Sequence, residues 1–348
     1  MFCWSSIEEY VVKSRTKRVF VIGIGGGGDI VGAIHVYLWL RRLGAEVFLG
    51  AIPWERFTID PIPGPIRLRE ILNAEILGKF SAKINGNSRA IRGDNVVDFQ
   101  AACVARKLGI SVYVVDGSRG AQGILKGFHE LIKMLNIDLI IGVDVGGDVL
   151  ATTEDAHNLW SPLMDSLALA ALAQVTNINT ALAIHGISAD GELPLSRALE
   201  RVSQIAKSNG IIEIHGLSKA DIPILEEVLK TCYTEASKIP IDVFKGLCGT
   251  ISIRSGSRIV DASIVQAMTI ILDTDIVFKS SPLAKAVAHT SSIEEANEAL
   301  HRLGLYTELD LEWDLYRLLN QGIEITSAIV LDVHNKGLAS IRKKYLAT

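Results

Sequence analysis

The sequence predicts a doubly wound α/β fold: a mostly parallel, Rossmann-like sheet with helices on both faces and a small antiparallel addition. Three observations carry this. Apolar strand patterns alternate with amphipathic helix patterns along most of the 348 residues, as a chain of βαβ units does. A glycine run, Gly23-Ile24-Gly25-Gly26-Gly27-Gly28-Asp29, joins the buried-strand pattern Val19-Phe20-Val21-Ile22 to a helical pattern opening at Ile30. Hydrophobic residues make up 49% of the chain and the mean hydropathy is +0.30, which fits strands covered on both faces.

The first unit runs from a strand at Arg18–Ile22 through a helix at about Ile30–Leu43 to a strand at Glu46–Ile52, with Gly44 stopping the helix. Pro53 to Asp94 is loop-rich, with Pro61, Pro63 and Pro65 close together, and reads as a lid or an inserted subdomain. Asn95–Leu108 reads as a helix, Ser111–Asp116 as a strand, Ala121–Leu135 as a helix and Asp138–Val143 as a strand. Ser161-Pro162 opens a helix through Gln174, with serine as N-cap and proline in the first turn. Thr180–Ile184 is a strand, Leu195–Ser208 a helix, Ile211–Ile214 a strand and Ala220–Cys232 a helix. Thr250–Val260 departs from the alternation as a hairpin turning at Ser255-Gly256-Ser257. A late strand at Ile276–Phe278, a helix from Ser281-Pro282 and an amphipathic helix at Ile293–Leu303 complete the expectation. The whole chain, 1–348, reads as one domain with a weak boundary near Thr176–Asn179.

Composition excludes several classes. No apolar stretch reaches the ~18 residues of a membrane span. Glu8 and Glu9 stand where a secretory leader needs positive charge. The formal net charge is −4 and the basic residues form no long block. The densest basic group near the start, Lys13, Arg15, Lys17 and Arg18, reads as solvated surface, so no duplex nucleic acid partner is expected. Cys3, Cys103, Cys232 and Cys248 lie far apart with no CxxC pair, which argues against a zinc ribbon. Cys103 sits in an apolar helical pattern and reads as a small core residue, and the expected compartment is the cytoplasm.

Gly23-x-Gly25-x-x-Gly28 matches the dinucleotide fingerprint in spacing and in its strand–turn–helix setting. Residues without side chains there, Gly26 and Gly27 included, let a ligand reach backbone N–H groups at a helix N-terminus. Two features count against a nicotinamide: Asp29 sits where a pyrophosphate would lie, and only the displaced Glu55 follows the second strand. The plainer alternative is a tight turn capped by Asp29. The triplet Gly-Gly-Asp recurs as Gly146-Gly147-Asp148 after a second buried strand, so two such turns are expected to face each other at the carboxyl edge of the sheet. Asp144, Asp148, Glu154 and Asp155 form the densest acidic group near a strand end, and Asp165 follows on the next helix. Carboxylates around a glycine turn suit Mg²⁺, and such a cation would offset Asp29; the plainer alternative is capping and solvated acids.

His185 and His215 end strands in similar His-Gly turns, and Asp190, Gly191 and Glu192 follow the first. A histidine beside carboxylates suits proton transfer, against the more ordinary reading of a structural histidine. Arg254 and Arg258 flank the hairpin turn and could clamp a phosphate or carboxylate, against the plainer reading of solvated hairpin ends.

Gly25-Gly26-Gly27-Gly28-Asp29, Pro63-Gly64-Pro65, Asp144-Val145-Gly146-Gly147-Asp148, Ser161-Pro162-Leu163-Met164-Asp165, Ala189-Asp190-Gly191-Glu192-Leu193 and Thr234-Glu235-Ala236-Ser237 together resemble domain of unknown function family 1152. The resemblance spans most of the chain. It implies a prokaryotic, archaeal, cytosolic protein and brings no activity with it. It also implies Gly-Pro-Gly before Asp190, where this chain has His185-Gly186-Ile187-Ser188, which weighs against His185.

The leading expectation is a Mg²⁺-assisted hydrolase or transferase acting on a phosphorylated metabolite or nucleotide. Gly23, Gly25–Gly28, Asp29, Gly146 and Gly147 would bind the anionic small molecule, Asp144 and Asp148 the metal, and Asp148, His185 and Asp190 would do the chemistry. The alternatives are an NAD(P)-dependent oxidoreductase and a non-catalytic nucleotide-binding or assembly protein, in which apolar helices would serve a homo-oligomer.

Overall fold

The computed structural model describes residues 5–13 and 17–346. Cys3 and Arg15 of the sequence reading lie outside them. After a short helix α1 (Ile7–Val12), strand β1 (Arg18–Gly23), helix α2 (Asp29–Arg42) and strand β2 (Glu46–Ala51) form the first βαβ unit. β1 and β2 run parallel with Ile22 opposite Gly50.

The next stretch holds β3 (Ile71–Leu72), β4 (Glu75–Ile76), β5 (Ser81–Ile84), β6 (Arg89–Arg92) and β7 (Asn95–Val97). Strands β3, β6 and β7 make a small antiparallel sheet. β5 instead joins the main sheet, antiparallel to β8 (Val112–Val115), with β4 outside it. A buried Arg92–Asp60 ion pair of 2.6 Å pins the segment down. Residues 53–94 are thus woven into the sheet edge, and Trp54 to Thr58 reach the cavity described below. The helix expected at Asn95–Leu108 is shorter: Phe99 is extended (φ −87, ψ 155), so β7 ends before it and helix α3 (Gln100–Leu108) begins after it.

Helix α4 (Gly120–Leu135), β9 (Leu139–Val145), α5 (Pro162–Ala173), β10 (Asn179–His185), α6 (Leu195–Lys207) and β11 (Ile211–Gly216) continue the alternation. Helices α7 (Ile222–Leu229) and α8 (Glu235–Phe244) follow, then the hairpin β12 (Gly249–Ile253) and β13 (Arg258–Ala262), then β14 (Met268–Asp273). Five helices close the chain: α9 (Thr274–Ser280), α10 (Pro282–Val287), α11 (Ile293–His301), α12 (Glu308–Asn320) and α13 (Ser327–Leu346). The late strand expected at Ile276–Phe278 lies inside α9. Asp273 accepts the Ile276 N–H at 3.1 Å and starts a helix there, while the strand is the element before it.

The main sheet has nine strands in the order β11-β14-β10-β9-β1-β2-β8-β5-β4. β10, β9, β1, β2 and β8 are parallel, and β14 slots antiparallel between β10 and β11. Alternate residues of a strand face opposite sides, so the sheet has two cores. Val19, Val21, Ile141 and Ala183 pack on the α2 side; Phe20, Ile22, Ile140 and Ile184 pack on the α5 side. No helix among the described residues is long and apolar enough to cross a membrane.

Cys103 lies in the core, as its apolar setting implies, and also forms a disulfide with Cys232, with Cα atoms 5.7 Å apart. A sequence separation of 129 residues hid the pair. Disulfides are rare in the cytosol outside hyperthermophiles, so cysteine usage no longer speaks for that compartment.

Candidate functional site: two carboxylate trios under an arginine wall

Three parallel strands end side by side at the carboxyl edge, where open α/β sheets bind ligands. β1 runs out into the glycine loop, β9 into Gly146-Gly147-Asp148, and β10 into the turn carrying Asp190 and Glu192. Asp29 opens α2 and Asp165 lies in the first turn of α5. The result is two trios of acids. One carboxylate oxygen each from Asp29, Asp144 and Asp165 lie within 4.8 Å of one another, and so do those from Asp148, Asp190 and Glu192. The structure therefore brings Asp144 and Asp148 to one site but into different trios. Five of the six acids are buried and Asp29 is partly so.

The glycines let these acids converge. A Cβ at Gly25 would sit 2.8 Å from Asp29 Oδ2 and 2.9 Å from both Asp165 oxygens. Gly146 has φ +127, and a Cβ there would lie 2.3 Å from Asp190 Cγ. The loop amides are not an open anion cradle. Gly25 N–H donates to Asp29 Oδ2 at 2.7 Å and Gly27 N–H to the Trp54 carbonyl at 2.7 Å. Gly146 N–H donates to the His185 carbonyl at 3.1 Å. The expected contact between a bare anion and a row of free amides is corrected at these three positions: their hydrogens are spent inside the protein, and the nearest groups are carboxylates. Gly23 packs on the start of α2 and Gly28 on Thr234, while Gly26 and Gly147 hold left-handed turns at φ +84 and +93.

Two acids have polar oxygens left over. Asp165 Oδ1 and both oxygens of Asp190 are buried without a well-formed hydrogen bond. Glu192 is the opposite case, accepting from Trp160 N–H at 2.7 Å and from the Ser161 hydroxyl at 2.7 Å. Burial pushes Asp190 up to about 8, with Glu192 adding to it, and Asp144 up to about 6. Burial raises Asp29, Asp148 and Asp165 as well, and a neighbouring acid, Asp144 or Asp165, raises each further. Burial also pushes at Glu192, but the guanidiniums of Arg254 and Arg258 outweigh it and hold it below its usual range.

Those arginines form the facing wall. Arg258 stacks 3.4 Å from the centre of the Trp160 ring, and Trp160 stacks in turn on His334 of α13 at 3.7 Å. Arg254 lies 3.4 Å from Glu192 Oε1. The Nε of each guanidinium is buried without a partner. Arg254 and Ser255 both hold positive φ (+51 and +54), a strained pair of the kind that collects at functional turns. A cavity of about 530 Å³ lies between Gly25–Asp29, Asp148, Asp165 and Asp190 on one side and Arg254 and Arg258 on the other.

His185 lies elsewhere. Its ring stacks on His35 of α2 at 5.3 Å, on the α2 side of the sheet, and its Nδ1 pairs with Thr269 Oγ1 at 2.8 Å. His215 stacks on the same His35 at 5.4 Å. Burial depresses His185 well below the usual histidine value. Glu55 lines the cavity but is tied to Gln100 N–H at 2.9 Å. Sequence reading had no signal for Glu308 of α12, which caps the Leu163 and Met164 N–H groups at 3.0 and 2.8 Å and fixes the turn carrying Asp165.

A family model described as "Protein of unknown function" matches residues 20–316. No curated protein and no solved structure matches the chain. Because that match runs from β1 into α12 and takes in all six acids and both arginines of the site, the chain belongs to the family described as Protein of unknown function (DUF1152).

Proposed function

We propose that this protein is a Mg²⁺-dependent enzyme that hydrolyses or transfers the phosphoryl group of a small phosphorylated metabolite held in the cavity between the acids and the arginines. One observation carries the reading: six carboxylates converge, with unpartnered oxygens on Asp165 and Asp190, and outnumber the three guanidiniums of Arg56, Arg254 and Arg258 at the same cavity. Fully ionised, the six acids would carry an excess of negative charge over the three guanidiniums, which divalent cations would offset. Mg²⁺ takes one or two carboxylates plus substrate oxygens, and the leftover oxygens of Asp165 and Asp190 are ligands of that kind. Bound there, the cation would neutralise phosphate charge that these acids would otherwise repel.

The other roles fall to the chain itself. Arg254 and Arg258 offer buried N–H donors to phosphate oxygens, where a planar guanidinium is the best protein partner. Asp190, pushed up to about 8, favours its protonated form at neutral pH when no cation is near and would give that proton up on binding one. His185 has no part in this scheme. Thermal unfolding with Mg²⁺ and a phosphate monoester tests it. The wild type should gain stability from the pair, and Asp148→Asn should lose that gain. An equal gain in both proteins would overturn the assignment.

A further inference from the structure

Helix α12 starts beside the acidic end of the cavity. Its first residue, Glu308, caps the turn of α5 that carries Asp165. Leu311 and Leu315 also line the cavity. They stand three and seven residues beyond Glu308, hence on the same helix face. At 1.5 Å per residue they lie roughly 4.5 and 10 Å along the helix from Glu308. Ile325 and Val330, from the start of α13 and the loop before it, complete this wall. Between the two leucines, Glu312 is not free to meet a ligand: it accepts from the Trp54 indole N–H at 2.9 Å and from Gly64 N–H at 2.8 Å. Burial raises it to about 8, so it is neutral at pH 7. The cavity thus carries an aliphatic strip beside its acidic groups, with Thr326 and Ser327 between Ile325 and Val330.

A cavity of about 530 Å³ is large for a bare phosphate, and a short polar ester would leave the partly buried Leu311, Ile325 and Val330 uncovered. We infer that the substrate is an amphiphile: a phosphate monoester whose body is an aliphatic chain about 10 Å long, lying along Leu311, Leu315, Ile325 and Val330. This rests on the proposed function for the head group and adds the class of the body. The family match ends at residue 316, so Leu311 and Leu315 fall inside it while Ile325 and Val330 fall beyond.

The test is a chain-length series. Inorganic phosphate, ethyl phosphate, butyl phosphate, hexyl phosphate and adenosine monophosphate are titrated calorimetrically into the full chain in Mg²⁺ buffer, below any micelle-forming concentration. Burying methylenes should tighten binding by about tenfold for every two added. Val330→Asp and Leu315→Asp should flatten that series while leaving inorganic phosphate unchanged; Val330 is only partly buried, so its variant stays informative if the leucine variant fails to fold. Phosphate binding with no chain-length dependence, or adenosine monophosphate binding tighter than hexyl phosphate, would overturn the amphiphile and leave the proposed function standing. Absence of any Mg²⁺-dependent phosphate binding would overturn both.

Discussion

Asp190→Asn should make the metal-free protein more stable at pH 8, although it removes a buried charged side chain. The reason lies in the sign of the shift. Asp190 is pushed from 3.8 to about 8 by burial and by Glu192, so its folded-state value lies above its unfolded one. Stability from this group is therefore full below about pH 4, falls as pH climbs towards 8, and is flat beyond. About four pKa units at 1.36 kcal/mol each set a ceiling of about 6 kcal/mol on the loss. Asparagine keeps the shape and cannot ionise. With unfolding entropy of about 2.1 cal/mol/K per residue, a chain of this length shifts by about 1.4 °C per kcal/mol, so the ceiling corresponds to about 8 °C. The assay is thermal unfolding by circular dichroism in EDTA at pH 5 and pH 8. The variant should melt close to wild type at pH 5 and several degrees above it at pH 8. Saturating Mg²⁺ should then raise the wild type at pH 8, by about 2.7 kcal/mol at a hundred times the dissociation constant, and raise the variant less. Equal melting temperatures for the two proteins at pH 8 in EDTA would refute the reasoning.

Two further outcomes follow from named contacts. Gly25→Ala places a Cβ against Asp29 and Asp165, so Mg²⁺ affinity should fall by at least about tenfold by calorimetry, with a stability loss of about 1–3 kcal/mol from overpacking. Asp221→Asn should behave opposite to Asp190→Asn. Asp221 is buried and paired with Arg42 and His35 on the α2 side, and those contacts outweigh burial and hold it below its usual range. Its contribution is present at neutral pH and lost as pH falls through its depressed value, so the variant should lose about 1–3 kcal/mol at pH 7 in urea unfolding and less under strong acid.

Much of the fold was legible because each βαβ unit carries its own local signals. Val19-Phe20-Val21-Ile22, the helix after Asp29 and the Ser161-Pro162 start announce themselves without any partner. β14 was missed because Thr269-Ile270-Ile271-Leu272 could be placed only by its neighbours: it runs antiparallel between β10 and β11, against the alternation around it. The Thr307–Asp310 capping box marks where helix α12 starts, but nothing local encodes the reach of Glu308 to α5. At the site, Asp29 and Asp148 stand out as acids after glycine turns and Asp144 as the acid just before one. Their division into two trios depends on how three strand ends are spaced, and no local pattern encodes that. The glycines misled for a related reason. A run without side chains opens space equally for a phosphate and for a neighbour's carboxylate, and only the positions of Asp165 and Asp190 decide between them.

Anomalous scattering from crystals soaked in Mn²⁺ at pH 8 addresses the carboxylate pair of trios most directly. The account predicts a strong peak among Asp29, Asp144 and Asp165 and another among Asp148, Asp190 and Glu192, the second weakened in Asp148→Asn. Clean density with no anomalous peak at either trio would contradict it.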